Sequence, residues 1–248
     1  MSKLELYFEH LSLSTINLFT RDKSKFILKA SGLDDSKGSP AMLRGRAVES
    51  QLLWVPIIKN RSIEELIENA DFFFQQESLQ IKDLYDKEKI EKERKDVSQY
   101  VISGFPFYYN LEDQGLKTQK KVSVNLQNLN IPIIGYIDLE CFETIRDLKT
   151  TRAIPSKVPY SVQRQLSFYS YATKKEAWVD YVSKKNCTTY RIDNVEKTMK
   201  EIISICDAME KFLNISNDIK EIASIFQPNR DSWEWSDEDN INWKKLGV

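Results

Sequence analysis

Residues 131–149 constrain the fold most, because they predict two neighbouring strands joined by a tight turn. The first part, up to Leu139, is strongly apolar and typical of a buried central strand. The second part, from Phe142, is the expected partner strand. Asp147 and Lys149 are two residues apart on this second strand, so their side chains should leave the same face.

Asp138 lies near the end of the first predicted strand, so two carboxylates and Lys149 should converge on one face. Glu140 is the alternative to Asp138, since it follows two residues later on the same side. Burying these charges in an apolar hairpin is costly unless they are paired or bind a metal ion. A divalent cation and an attacking water need such a group, which indicates metal-assisted phosphodiester hydrolysis.

Helical patterns before and after a group of strands predict an α/β fold, with a central mixed sheet flanked by helices and a helical C-terminal extension. The expected helices cover about 16–27 (capped by Ser12 or Ser14), 41–54, 62–74 (opened by a Ser62/Glu65 capping box), 82–97, 160–173 and much of 193–226. The other expected strands cover about 122–126, 177–182 and 188–192, with a turn at 128–130.

Composition excludes several classes of protein. The spacing of the three cysteines fits neither a zinc site nor a disulfide framework, and their odd number suits a reducing cytoplasm. His10 is the only histidine, so Ser/His and Cys/His triads are excluded unless it serves in one. No run approaches the ~20 apolar residues of a membrane span, and the N-terminus lacks a signal-peptide pattern.

A net charge of −1 does not indicate nucleic-acid binding by itself. Residues 150–175, however, contain five basic residues and no Asp or Glu, and a second basic stretch lies at 21–46. A local basic groove on a neutral protein can follow a phosphate backbone. The alternative is that these basic residues lie on solvated helix faces. For either stretch taken alone, we favour this alternative.

The hairpin motif, GYIDLE…IRDLKTT, resembles the core of the PD-(D/E)xK nuclease superfamily, in particular its RecB-like and phage-type exonuclease branch. Two further motifs of that branch are present in the expected order. Gly45-Arg-Ala-Val-Glu49 matches an early Gly-x-x-x-Glu/His element, and Gln165-Leu-Ser-Phe-Tyr169 matches a Gln-x-x-x-Tyr helix after the lysine. The resemblance covers about residues 12–192 and implies a restriction-endonuclease-like core.

The resemblance also implies a role for each matching residue. Asp138 and Asp147 would bind Mg²⁺ or Mn²⁺, with the Leu148 carbonyl and Glu49 as further ligands. Lys149 would orient the attacking water and lower its pKa with the metal.

Outside the metal ligands, Gln165 would position the nucleophile or a phosphate, and Tyr169 would support Gln165 or face the DNA. Basic side chains could hold DNA phosphates, and the candidates are Arg44, Arg46, Arg152 and Arg164. Glu49, Gln165 and Tyr169 each have a simpler interpretation, as surface or core residues.

The chain departs from the family pattern in three ways. Ile137, not proline, precedes Asp138, and a glutamate stands at position 49 where many relatives have histidine. Some relatives hold an iron–sulfur cluster with four cysteines, and three cysteines argue against one here. The phosphate-binding loop of helicases is also missing, so the nuclease would act alone or with a partner.

We therefore expect one nuclease domain over 1–248, with a core at about 12–192 and a helical extension at about 193–248. The expected activity is that of a Mg²⁺-dependent deoxyribonuclease, favouring an exonuclease of recombination, repair or phage DNA metabolism, in the cytoplasm of a bacterial or phage-infected cell. Alternatives are a structure-specific or restriction-like endonuclease and a catalytically silent nucleic-acid-binding module. The aromatic, acidic tail at 233–243 could bind a single-strand-binding or annealing protein, and a homo-oligomer is possible by analogy.

Overall fold

The computed structural model describes residues 2–34, 38–81, 85, 87–111, 115–127, 129–232 and 235–247. Over these residues the chain is an α/β protein with a mixed central sheet flanked by helices, as predicted. The helices are α1 (Lys3–Tyr7), α2 (Leu13–Arg21), α3 (Lys23–Ala30), α4 (Pro40–Leu52), α5 (Ile63–Ser78), α6 (Lys87–Tyr109), α7 (Tyr160–Thr173), α8 (Val195–Leu213), α9 (Ile219–Ile225) and α10 (Asp237–Lys245). The strands are β1 (Leu11–Ser12), β2 (Lys117–Val124), β3 (Ile133–Glu140), β4 (Thr144–Thr150), β5 (Glu176–Val182) and β6 (Cys187–Arg191).

The chain forms two compact units. The terminal unit comprises Met1–Ser36, Lys121–Gly135 and Asn194–Val248, and the central unit comprises Lys37–Lys120 and Tyr136–Asp193. The predicted boundary near residue 192 is close to the end of the central unit, but the first helices group with the last ones. The prediction of a single nuclease domain stays a prediction.

In the central unit, the predicted hairpin is confirmed. β3 and β4 pair antiparallel, with Leu139 opposite Arg146 and Glu140 opposite Ile145. α7 then connects β4 to β5, which runs parallel to β4 along its whole length, from Thr144 to Thr150. β6 completes this part of the sheet as the antiparallel neighbour of β5.

A buried ion pair joins β4 to β5 on the side of the sheet away from Asp147. Arg146 donates two hydrogen bonds to Asp180, at 2.8 and 2.7 Å. Thr189 of β6 and Tyr108 of α6 also donate to this carboxylate, at 2.7 and 3.2 Å. Asp180 is fully buried with four donors, so the pair is well satisfied and helps to fix the strand register.

Three helices of the central unit, α4, α5 and α6, pack their apolar residues against the Leu139, Leu148 and Val182 side chains of the sheet. The approach of α6 to α4 requires a glycine, because a Cβ at Gly104 would collide with the Leu52 side chain. This packing fixes the position of α4 next to β4.

The helix predicted at about 16–27 is two helices. Ser12 caps α2 as expected, accepting from the Thr15 amide at 3.1 Å. The chain then turns at Asp22, whose side chain caps α3 by accepting from the Lys25 amide at 3.0 Å. Apolar periodicity continues across the break, which is why the pattern alone predicts one helix.

Two other expectations differ in detail. The Ser62 side chain accepts from the Glu65 amide at 3.2 Å, but the Glu65 carboxylate pairs with Arg61 instead of closing the capping box. The helix expected at 82–97 is α6, which continues to Tyr109. Asn128, residues 82–84 and residue 86 lie outside the described residues. The turn predicted at 128–130 and the predicted start of the helix at 82–97 are therefore untested there.

The described part of the C-terminal tail is packed within the terminal unit. Trp235 and Trp243 are 7% and 2% exposed, and their rings meet edge to face at 5.8 Å. Asp239 forms an ion pair with Lys25, and Asn242 donates to the Leu33 carbonyl at 2.8 Å. These contacts hold Trp235, Asp239 and Asn242 within the terminal unit, and binding of a partner protein by the tail stays a prediction. Trp233 lies outside the described residues.

Among the described residues, no helix has the length and apolar content needed to span a membrane.

Candidate active site

Asp138 and Asp147 lie on neighbouring strands. Continuing the register of β3 and β4 by one residue pair places Asp138 directly opposite Asp147. The two carboxylates are 8% and 0% exposed. Asp138 Oδ2 accepts a hydrogen bond from the Leu148 amide at 2.9 Å, which ties the first carboxylate to the backbone of the second strand.

Lys149 lies beside Asp147, as the two-residue spacing predicts. Its Nζ is 2.7 Å from Asp147 Oδ2. Oδ2 is buried, and its contact with Lys149 is an ion pair.

Gln165 reaches the other oxygen of Asp147 from α7. Its Nε2 donates to Asp147 Oδ1 at 3.2 Å and to the Tyr169 hydroxyl at 3.1 Å. The two α7 residues share one helix face because they are four residues apart. Burial raises the pKa of Tyr169 to about 12, so this tyrosine remains a neutral hydroxyl near pH 7. Gln165 therefore contacts the hairpin, and its role toward the nucleophile or a phosphate stays a prediction.

Glu49 approaches from α4, which lies close to β4 because Gly45 has no side chain. A Cβ at Gly45 would be 3.1 Å from Thr150 Oγ1, tighter than ordinary contact. The Glu49 carboxylate accepts a hydrogen bond from Gln119 Nε2 of β2 at 2.9 Å. Burial raises the pKa of Glu49, and the charge of Lys149 opposes that rise.

The three carboxylates and the lysine influence one another. Burial raises the pKa of Asp138 well above its ordinary value, and the negative charge of Asp147 raises it further. Burial alone would lower the pKa of Lys149, but Asp147 and Asp138 raise it above the ordinary value. The site thus holds three acidic groups against one close lysine, and an added cation would relieve their repulsion.

The carboxylate oxygens of this site are chemically suited to a hard divalent cation. Carboxylate oxygens are the ligands that Mg²⁺ and Mn²⁺ prefer, and the buried Asp147 Oδ2 is paired with the Lys149 ammonium. Across the described parts of the chain, no group of three or more His, Cys, Asp or Glu side chains is gathered closely enough to hold a metal ion as it stands. Asp138 and Asp147 therefore fit as a pair of ligands, and Gln119 restrains the Glu49 carboxylate near them.

Glu140, the alternative to Asp138, is occupied elsewhere. Its Oε1 lies 2.7 Å from Lys120 Nζ and 2.9 Å from Lys175 Nζ. Burial opposes ionisation, but these two lysines lower the pKa of Glu140 below its ordinary value. The structure therefore favours Asp138 as the carboxylate that faces Asp147.

The four arginines proposed for phosphate contacts differ in their surroundings. Arg44 is only 3% exposed and forms a buried ion pair with Glu93, so it is a structural residue. Arg152 also pairs with Glu93, but its side chain is 63% exposed. Arg46 is exposed and lies 3.0 Å from Glu77, and Arg164 is half-buried. Burial decides against Arg44 as a phosphate ligand.

Two residues at the site were not predicted from the sequence. Gln119 contacts Glu49 from β2, a strand about seventy residues away in the chain. Tyr181 of β5 is the cross-strand neighbour of Lys149, and its buried hydroxyl has no hydrogen-bond partner among the described residues. Both depend on contacts between distant segments, which no local spacing reveals.

A surface cavity of about 530 Å³ lies elsewhere in the central unit, between α4 and α5. Exposed aromatic side chains, Trp54 and Phe72, contribute to its walls. None of the predicted catalytic residues lines it, so it adds nothing to the candidate site.

Comparison with known proteins gives little. No family model matches the chain, and no curated protein matches it. Among solved structures, one described as "Crystal structure of SSO0001" matches with a TM-score of 0.33 and 13% identity, over 66% of this chain and 84% of that one. Similarity at this level carries no argument about function.

Proposed function

We propose that this chain is a metal-dependent deoxyribonuclease of the PD-(D/E)xK type, with a restriction-endonuclease-like core. The observation that carries the proposal is the buried Asp147. One of its oxygens accepts from Gln165, the other has only the charge of Lys149 beside it, and Asp138 lies opposite on the next strand. All of these residues belong to the central unit.

The cation would be held by Asp138 and Asp147, with Glu49 and the Leu148 carbonyl as further ligands. Bound Mg²⁺ or Mn²⁺ would polarise the phosphodiester and lower the pKa of the attacking water. The chain's own contribution is a set of fixed, buried oxygens. The Leu148 amide holds Asp138, and Gln165 holds Asp147, so each carboxylate has one oxygen restrained.

Lys149 supplies positive charge at the reacting group. Because its pKa is raised, it is protonated near pH 7 and acts by orienting water or phosphate oxygens, not by accepting a proton. Gln165 links Asp147 to Tyr169 and so keeps α7 in register with the site. An iron–sulfur cluster has no place in this proposal.

The proposed substrate is DNA, with an exonuclease role in recombination, repair or phage DNA metabolism in the cytoplasm of a bacterial or phage-infected cell. Arg152 follows β4 directly and is the most exposed of the proposed phosphate contacts, with Arg46 and Arg164 as the others. A single-strand-binding or annealing partner and a homo-oligomer also remain proposals.

The test uses end-labelled linear duplex, single-stranded and closed circular DNA, each with Mg²⁺, Mn²⁺ or EDTA. Wild type should degrade linear DNA only with metal, and Lys149→Ala should abolish this. Lys220→Ala is the matched control, because Asp218-Ile-Lys220 has the same spacing at the start of α9 and Lys220 is exposed, so this variant should cleave like wild type. Cutting of closed circles would favour the endonuclease. If folded wild type binds DNA but never cuts it, the result would favour a catalytically silent nucleic-acid-binding module.

A further inference from the structure

Gln119 has a backbone conformation that is unusual within a strand. Its φ is +50°, in the left-handed region that non-glycine residues rarely adopt. Two other described non-glycine residues have positive φ. Lys174 ends α7, where this conformation is common, and Asn194, which precedes α8, is a residue type that tolerates it. Gln119 lies inside β2, two residues after its start. The conformation is strained, and such strain tends to occur at functional sites.

The side chain of Gln119 is used for one contact. Its Nε2 donates to Glu49 Oε1 at 2.9 Å, although the residue is otherwise exposed. The next residue, Lys120, pairs with Glu140 of β3 at 2.7 Å. In a regular strand, neighbouring side chains leave opposite faces. Here the two neighbours both reach carboxylates, one on α4 and one on β3.

The Glu49 carboxylate needs a hydrogen-bond donor from another element to hold it in one position. It projects from α4, a different element from the strands that carry Asp138 and Asp147. Its carboxylate is close enough to Lys149 and Asp147 to be influenced by both charges. A free glutamate side chain has several rotamers, so a donor on a strand that pairs with β3 restrains it.

We propose that Gln119 is a positioning residue for the metal site, which restrains the Glu49 carboxylate so that it can complete the shell around the cation bound by Asp138 and Asp147. This inference rests on the proposed function. The strained backbone at Gln119 aims its amide at Glu49, and the amide leaves the second oxygen of Glu49 for the metal. Partners of this kind typically change metal affinity by about 10- to 100-fold.

The test measures Mn²⁺ binding by isothermal titration calorimetry on the full chain, beside thermal melting. Gln119→Met keeps the length of the side chain but removes the donor. Gln119→Gly also removes the donor, but it relieves the strain, because glycine accepts positive φ. We expect both variants to bind Mn²⁺ about 10- to 100-fold more weakly, and Gln119→Gly to melt no lower than wild type.

Glu49→Ala shows whether Gln119 acts through Glu49. In that background, Gln119→Met should cause no further loss of Mn²⁺ affinity. An undiminished loss there, or wild-type Mn²⁺ affinity in Gln119→Gly, would overturn the inference while leaving the nuclease proposal intact. Wild type that neither binds Mn²⁺ nor cuts DNA would overturn both, and that result is visible before any variant is made.

Discussion

The side-chain amide of Gln165 donates to Asp147 Oδ1 at 3.2 Å, which joins α7 to the central hairpin at a fully buried carboxylate. The same nitrogen donates to the Tyr169 hydroxyl at 3.1 Å. Asp147 therefore has one oxygen held by an amide and one oxygen next to the Lys149 charge. This asymmetry leads to the first prediction.

Gln165→Leu should reduce metal-dependent cleavage by about 10- to 100-fold, because loss of the amide frees Asp147 and leaves its buried oxygen unpaired. Single-turnover cleavage of linear duplex measures the effect. Tyr169→Phe removes the Gln165–Tyr169 hydrogen bond but keeps the Gln165 contact to Asp147, so it should reduce cleavage less. Cleavage by Gln165→Leu at the wild-type rate would show that the amide does not position Asp147.

Arg44 and Arg152 should behave differently although both pair with Glu93. Arg44→Ala should lower the free energy of unfolding by about 3–5 kcal/mol, because it breaks a buried ion pair. Arg152→Ala should leave stability nearly unchanged but reduce the slope of log DNA affinity against log salt by about one. Urea unfolding and DNA binding at several salt concentrations check this. Equal effects on stability would contradict the assigned roles.

Tyr181→Phe should not destabilise the protein, because the hydroxyl that it removes is buried without a partner. The free energy of unfolding should stay the same or rise by about 1 kcal/mol. Tyr108→Phe is the matched comparison, since the Tyr108 hydroxyl donates to Asp180 at 3.2 Å, and it should cost about 1 kcal/mol. Urea unfolding distinguishes the two. A clear loss in Tyr181→Phe would mean that its hydroxyl has a partner in solution.

Asp239 should contribute to stability in a pH-dependent way. Burial would raise its pKa, but hydrogen bonds from Lys25 and Ser236 lower it below the ordinary value. A lowered folded-state pKa gives stability that is present above the unfolded pKa near 3.9 and is lost as the pH falls through the folded value. Asp239→Asn should therefore melt lower than wild type at pH 7, and the difference should shrink below about pH 4. If the difference in melting temperature between wild type and Asp239→Asn grows as the pH falls, the lowered pKa of Asp239 is contradicted.

The sequence predicted the parts of the site that depend on local spacing. Asp147 and Lys149 share a face because strand periodicity is two, and Gln165 and Tyr169 share a face because helical neighbours are four apart. Those relations need no knowledge of the tertiary fold, and the structure agrees with them.

The features that could not be predicted from the sequence depend on tertiary contacts. Arg44 looks like any other basic residue in the sequence, and only its buried pairing with Glu93 shows that it is structural. The apolar pattern continues across Asp22, so it does not reveal the break there. The break is formed by the Asp22 side chain, which caps α3. Gln119 could not be found, since its role depends on a positive φ and on a helix distant in the chain.

The most direct test of the central claim is cleavage of end-labelled linear duplex DNA with Mn²⁺ or EDTA, by wild type and by Asp147→Asn. Asparagine keeps the size of the side chain but removes the charge, so the fold should survive, as far-ultraviolet circular dichroism would show. We expect wild type to cut with Mn²⁺ and not with EDTA, and Asp147→Asn to lose at least about 100-fold in rate, since it loses a metal ligand. Wild-type cleavage by a folded Asp147→Asn, or cleavage that persists in EDTA, would contradict a metal-dependent site centred on Asp147.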